Sequence, residues 1–168
     1  MKVLRTFLPA IACSMFFTAP VQAHGDKHAT TAKIDYSKAE QMPFGIAADP
    51  KKAARTMRIE MADTMRYYPS EVKVKRGETV RFVIRNKGKL LHELVIGTKK
   101  ELDEHAALML KFPAMQHDEP YMAHVGAGKR GGLIWTFNRA GEFDFACLIA
   151  GHYQAGMVGR ISVAAASR

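Results

Sequence analysis

The sequence predicts an all-β domain, an antiparallel β-sandwich of seven to eight strands with one short helical insertion. Short runs of alternating or β-branched residues recur along the chain from residue 57 onward. Turn signals, chiefly glycine, proline and asparagine, stand between these runs, as they do between short strands. A helical period appears once, between residues 100 and 111. Together these features indicate a β fold with a single helical excursion.

Seven runs have the period of two, or the β-branched and aromatic composition, that is typical of strands. They cover residues 57–61, 71–75, 79–85, 93–96, 133–137, 142–145 and 158–163. Between residues 100 and 111 the apolar side chains of Leu102, Ala106, Met109 and Leu110 follow a helical period instead. We therefore expect the helix to lie between the fourth and the fifth of these strands.

The N-terminal 52 residues differ in composition from the rest of the chain. Residues 1–23 contain Lys2 and Arg5, then an apolar run, then small residues up to Ala23, which is the pattern of a secretory signal peptide. The apolar run is too short for a stable membrane span, so we predict a periplasmic protein without stable membrane insertion. Residues 24–52 lack a sustained period and predict a flexible arm, and residues 53–168 predict one domain.

The charge of the chain narrows the range of partners. Lysine and arginine number 25 against 16 aspartate and glutamate residues, which gives a formal net charge of +9. Such a protein would attract an acidic redox partner or an anionic lipid, although the charge is equally consistent with solubility alone. The chain has no basic and aromatic repeat of the kind that binds nucleic acid, so we exclude that partner.

The number and position of the cysteines indicate what kind of site the protein contains. Cys13 belongs to the predicted signal peptide, which leaves Cys147 as the only thiol of the mature chain. It has no partner for an internal disulfide. An unpaired thiol in an oxidising compartment is a liability unless it is buried, catalytic or bound to a metal.

A metal-ligand pattern begins at this cysteine. Cys147, His152 and Met157 fall on one short stretch between two predicted strands. A thiolate and two imidazoles hold copper in a plane, with a thioether at longer range on the axis. His92, at the start of an earlier strand, is the best candidate for the second imidazole. Each of the four residues alone would fit a structural role, but their combination favours copper.

These residues carry a resemblance to a known family. The parts that match are His92 at a strand start, the run 143–147 (Phe-Asp-Phe-Ala-Cys), the Gly151-His152 step and the run 156–159 (Gly-Met-Val-Gly). Over residues 57–163 the chain resembles the cupredoxins, the plastocyanin and azurin family. The resemblance implies a Greek-key β-sandwich with one type 1 copper, held by His92, Cys147, His152 and Met157.

Single positions refine this resemblance. The residues before Trp135 and the 151–157 loop are similar to those of periplasmic copper-tolerance cupredoxins. Ala146 and Leu148 flank the cysteine where multicopper oxidases carry histidine, and Gly151 stands where a binuclear centre needs a second cysteine. Glu93 follows the first histidine where many electron carriers have asparagine, so the sequence does not identify what fixes the cysteine loop.

Further histidine and methionine residues suggest accessory copper. Most of them form pairs that share a face in an extended segment or on a helix, and such pairs suit additional Cu(I). The alternative is that the methionines pack under a loop and the histidines are solvated. The pairs are His105 with Met109, Met115 with His117, and Met122 with His124, and the two other residues are His24 and His28 near the predicted mature terminus.

The function predicted from the sequence is a periplasmic type 1 copper protein that performs one-electron Cu(I)/Cu(II) chemistry in copper tolerance. Its partner would be a redox protein or another copper-handling protein. One alternative is an electron shuttle to a respiratory or denitrifying enzyme. A third possibility, a copper oxidase that uses His24 at the mature terminus, requires a further ordered imidazole that the sequence does not place. We therefore predict that the protein is not an enzyme.

Overall fold

A computed structural model describes residues 35–115 and 117–165. The predicted signal peptide, His24 and His28 lie outside these residues. In the part described, eleven strands and one α-helix are present, and the strands form two sheets. The two-sheet β architecture with one helix confirms the predicted fold class.

The first sheet has six strands and the second has five. In spatial order the first contains β1 (Gln41–Met42), β2 (Gly45–Ala47), β9 (Arg130–Phe137), β6 (Glu78–Asn86), β3 (Arg55–Ala62) and β4 (Arg66–Tyr68). The second contains β5 (Glu71–Lys75), β11 (Val158–Ala164), β10 (Gly141–Ala146), β7 (His92–Gly97) and β8 (Met122–Val125). The structure thus adds β1, β2, β4 and β8 to the predicted strands, because runs of two to four residues are too short to show a period.

The strand directions depart in two places from a purely antiparallel sandwich. β3 pairs with β6, and β5 with β11, in parallel, whereas the other neighbouring strands are antiparallel. A parallel pair cannot be closed by a tight turn. In both cases the chain forms at least one strand of the opposite sheet before it returns, and this crossover connection makes the parallel pairing possible.

Residues 41–47 belong to the sandwich, although the sequence places them in a flexible arm. Phe44 is only 1% exposed, and its ring stacks on Trp135 with 5.4 Å between the ring centroids. The indole N–H of Trp135 donates to the Phe44 carbonyl at 3.0 Å. Gly45 has a φ of 132°, and a Cβ there would collide with the Thr136 carbonyl and the Trp135 indole. The ordered domain therefore begins before the predicted boundary at residue 53.

Strand β7 is buried along its whole length, because it is covered on both faces. Leu94 and Ile96 face the core between the sheets, and Val95 faces the helix α1 (Lys99–Lys111). A strand buried on both faces has a continuous apolar run rather than an alternating one. The run Leu94-Val95-Ile96 has this pattern.

The helix α1 begins at a capping box, in which Thr98 and Glu101 satisfy each other's backbone N–H groups. Its buried residues Leu102, Ala106 and Met109 pack over the second sheet, and each large apolar side chain contributes about 1.5–3 kcal/mol. Across residues 35–115 and 117–165, no helix has both the length and the apolar character needed to cross a membrane.

Candidate metal centre

The 147–157 loop closes the hairpin between β10 and β11. Its two ends are joined by a hydrogen bond of 3.1 Å from the Cys147 N–H to the Met157 carbonyl. The Met157 N–H donates in turn to the His152 carbonyl at 3.1 Å. Gly156, just before Met157, has a φ of 87°, a backbone conformation that favours glycine. The cysteine, the histidine and the methionine are thus held on one internally bonded loop.

His92 reaches this loop from the neighbouring strand. β7 pairs antiparallel with β10, so the beginning of β7 lies beside the end of β10, where Cys147 follows. One nitrogen of each of His92 and His152 and the Sγ of Cys147 lie within 4.8 Å of one another. The Sγ of Cys147 is 3.3 Å from the Nδ1 of His152, and the two imidazole centroids are 4.9 Å apart.

His92 is held in a defined orientation by Asp63, in the turn between β3 and β4. The Nε2 of His92 lies 3.0 Å from the Oδ1 of Asp63. The backbone N–H of Lys89 lowers the pKa of the Asp63 carboxyl most, and the hydrogen bond with His92 lowers it further, so the carboxylate is ionised and accepts a hydrogen bond from the Nε2–H of His92. This bond leaves Nδ1 as the free nitrogen of His92.

The Nδ1 of His92 is buried, and within residues 35–115 and 117–165 it has no hydrogen-bond partner. Buried polar atoms are nearly always paired, so an unpaired one calls for an explanation. A metal ion between His92, Cys147 and His152 would supply the missing partner. The residues present therefore fit a bound metal.

Cys147 is fully buried, and the burial raises the pKa of its thiol to about 12. Its sulfur accepts a hydrogen bond from the N–H of Glu93 at 3.4 Å. Metal binding replaces the thiol proton, because the thiolate is the ligand form of cysteine. A buried thiol beside two imidazoles suits a soft or borderline metal such as copper.

The profile of the copper-binding proteins of the plastocyanin/azurin family matches residues 53–164. The chain belongs to this family. Among curated relatives, the copper-resistant cuproprotein CopI of Rubrivivax gelatinosus is 44% identical over 165 residues, covering 96% of this chain and 98% of the relative. The protein of the same name from Pseudomonas aeruginosa is 35% identical over 190 residues, covering 95% and 97%.

Solved structures agree on the fold of this cupredoxin. Reduced auracyanin from Roseiflexus castenholzii superposes with a TM-score of 0.57 at 23% identity, covering 67% of this chain and 98% of auracyanin. An azurin from Methylomonas gives a TM-score of 0.52 at 17% identity, covering 67% and 99%. Family membership and the donor atoms at the site together make copper the cofactor of this cupredoxin, as the sequence predicts.

Glu93 fixes the cysteine loop of this cupredoxin. Its side chain is 3% exposed, and its Oε1 accepts the N–H of Leu148 at 2.7 Å. The other carboxylate oxygen lies 2.8 Å from the Nε2 of His124. The acidic residue that stands where many electron carriers have asparagine therefore binds the loop backbone directly.

Two residues of the site could not be identified from the sequence. Asp63 orients His92, and Tyr67 donates its hydroxyl to the Glu93 carbonyl at 2.6 Å. Both come from the β3–β4 hairpin, more than 20 residues before the residues that they contact. An aspartate in a turn and a tyrosine in a strand have ordinary local explanations, so no sequence signal marks them.

The predicted accessory residues lie in two different settings. Met122 and Met109 are buried in the cluster beneath α1, and His124 is paired with Glu93. In contrast, His105 on α1 lies next to His117 in the segment that follows the helix, with 4.5 Å between the ring centroids. Accessory copper at any of these residues stays a prediction. The structure nevertheless brings two histidines close together that the sequence places in separate pairs.

Proposed function

We propose that this cupredoxin holds one copper ion in a type 1 site through His92, Cys147, His152 and Met157. The observation that carries the proposal is the buried Nδ1 of His92, which has no hydrogen-bond partner in the part of the chain that the structure describes, beside a buried thiol and a second imidazole. Two imidazoles and a thiolate with a distant thioether are the ligands of such sites. Met157 is fully buried and is bonded through its backbone to both Cys147 and His152.

Copper with these ligands supplies one-electron chemistry, because neither Cu(I) nor Cu(II) requires a large change in ligand positions. The protein contributes rigidity. Asp63 holds the His92 ring, the Glu93 carboxylate holds the loop, and the Glu93 N–H donates to the cysteine sulfur. Hydrogen bonds to the sulfur and to the histidine ligands tune the potential of a site of this kind.

The role we propose is protection against excess copper in the periplasm. Two relatives with more than 95% of their own length aligned to this chain are named copper-resistant cuproproteins. The leader-like sequence of residues 1–23 supports export. His152, half-buried where His92 is fully buried, would offer the contact surface for a redox or copper-handling partner, together with the exposed Ala155.

Growth under copper tests this role. A Gram-negative strain that lacks its own copper-tolerance cupredoxin would express either the full chain or its Cys147→Ser variant. We expect the wild type to restore growth at raised copper concentrations and the variant to fail, with equal amounts of both proteins in the periplasmic fraction. Equal protection by Cys147→Ser would contradict a tolerance role of the site. Failure of both proteins, with rapid electron donation by the reduced wild type to a respiratory enzyme, would favour the shuttle.

A further inference from the structure

His105 and His117 form a second imidazole pair away from the Cys147 loop. His105 lies on the helix α1, and His117 lies in the irregular segment between α1 and β8. Their ring centroids are 4.5 Å apart and their planes are inclined by 39°. The fold thus brings together two rings that are twelve positions apart in the sequence.

Neither ring nitrogen of His117 has a hydrogen-bond partner among the described residues, although both are buried. An imidazole carries at least one N–H donor and, when neutral, one acceptor. Burying both groups without partners is unfavourable, and native proteins rarely tolerate it without a ligand or an ion. The other buried histidine nitrogen without a partner in the described part of the chain is the Nδ1 of His92, in the proposed type 1 site.

The geometry of this pair is similar to that of the two histidines at the type 1 site. His92 and His152 have centroids 4.9 Å apart and planes inclined by 48°, against 4.5 Å and 39° for His105 and His117. Both pairs are tilted, so in neither pair do the rings stack face to face. Two imidazoles at this separation can direct one nitrogen each at a shared ion.

The surroundings of His105 favour its neutral, metal-binding form. Burial lowers the pKa of His105, and the neighbouring His117 lowers it further. His105 also lines a cavity of about 100 Å³ with Glu101 and Tyr121, which leaves room beside its ring. Met109 lies one helical turn after His105, and Met115 precedes His117 by two positions.

We propose that His105 and His117 are the imidazole ligands of a second metal site, which binds Cu(I). Neutral imidazole is a general ligand for copper, and a thioether ligand, for which Met115 two positions before His117 is the candidate, suits the reduced form. The site shares no residue with the type 1 centre, so either one can exist without the other. In a protein that resists copper stress, such a site would take up copper in addition to the ion of the type 1 centre.

Copper stoichiometry tests the proposal. The full mature protein would be titrated with Cu(I) without oxygen, against a coloured Cu(I) chelator of known affinity. We expect His105→Asn and His117→Asn each to lose one equivalent of bound Cu(I) relative to wild type. The double variant should lose the same single equivalent, because both residues serve one ion. Leu108→Asn, an exposed change on the same helix, is the control and should lose none.

The Cys147→Ser variant separates this site from the type 1 centre. It should lose the thiolate-to-copper absorption but keep the equivalent that depends on His105 and His117. Both histidine variants should keep that absorption, which also shows that they fold. In addition, Ag(I) added to Cys147→Ser should shift the imidazole resonances of His105 and His117 together. The proposal is overturned if the histidine variants bind as much Cu(I) as wild type with the same affinity, or if the pair binds Zn(II) and not Cu(I).

Discussion

The two histidine pairs of this protein have similar distances between their rings but differ in the hydrogen bonds that hold the rings in place. At the proposed type 1 site, Asp63 forms a hydrogen bond with the His92 ring. Glu93 accepts a hydrogen bond from the backbone of the loop that carries Cys147 and His152. At the second pair, His117 lies in an irregular segment and has no hydrogen-bond partner among the described residues. A ligand that is fixed before binding loses less freedom when the metal arrives. We therefore expect the first pair to retain its ion and the second to exchange it.

The largest effect should come from removing the carboxylate that fixes the cysteine loop. Glu93→Ala leaves the buried N–H of Leu148 without an acceptor and opens a cavity, so the free energy of unfolding should fall by about 2–4 kcal/mol. Glu93→Gln keeps an acceptor oxygen and should cost less than about 1 kcal/mol. Chemical denaturation of the metal-free proteins measures both values. Equal losses in the two variants would show that the Leu148 hydrogen bond is not what matters.

An intermediate effect, on copper affinity, is expected from removing the hydrogen bond that orients the His92 ring. Asp63→Ala removes the acceptor of the hydrogen bond from the His92 Nε2–H, and loss of such an orienting partner typically weakens metal binding by about 10–100-fold. Asp63→Asn keeps one acceptor oxygen and should lose less. Competition with a chelator measures the copper affinity of each variant. If Asp63→Ala binds copper at the type 1 site as tightly as wild type, the hydrogen bond to His92 does not explain a difference in metal retention between the two pairs.

The smallest effect concerns His124, which the structure pairs with Glu93. That hydrogen bond raises the pKa of His124 above 6.5, so the protonated form stabilises the folded state. The contribution is fully present below the unfolded value and is lost as the pH rises through the raised pKa. The ring is 35% exposed, so solvent screening limits the contribution to less than about 1 kcal/mol.

The measurement is the difference in unfolding free energy between metal-free wild type and His124→Gln, at pH 5.5 and at pH 8.5. We expect the wild type to be favoured more at the lower pH. A difference that grows toward the higher pH would contradict the pairing with Glu93.

Local spacing made much of this protein predictable from the sequence. The proposed ligands Cys147, His152 and Met157 fall on one loop, and the longer strands show their period within a few residues. The short strands β1 and β2 were missed, because their place depends on Phe44 packing against Trp135, far along the chain. Their pairing is a tertiary effect that no window of sequence contains.

The same reasoning explains which site residues were missed. Asp63 is 29 positions from His92, and Tyr67 is 26 from Glu93, so only the folded sandwich shows that they meet. His105 and His117 were each grouped with a nearby methionine, because sequence spacing displays neighbours along one element. Their contact depends on how the irregular segment after α1 returns to the helix, which no periodicity reveals.

Optical absorption of the copper-loaded protein tests the central claim most directly, that one thiol meets two imidazoles around a single ion. With one equivalent of Cu(II), the wild type should show a strong thiolate-to-copper charge-transfer band. Cys147→Ser should lose the band, and His105→Asn should keep it. A fully loaded wild type without the band, or a Cys147→Ser protein that retains it, would contradict the account.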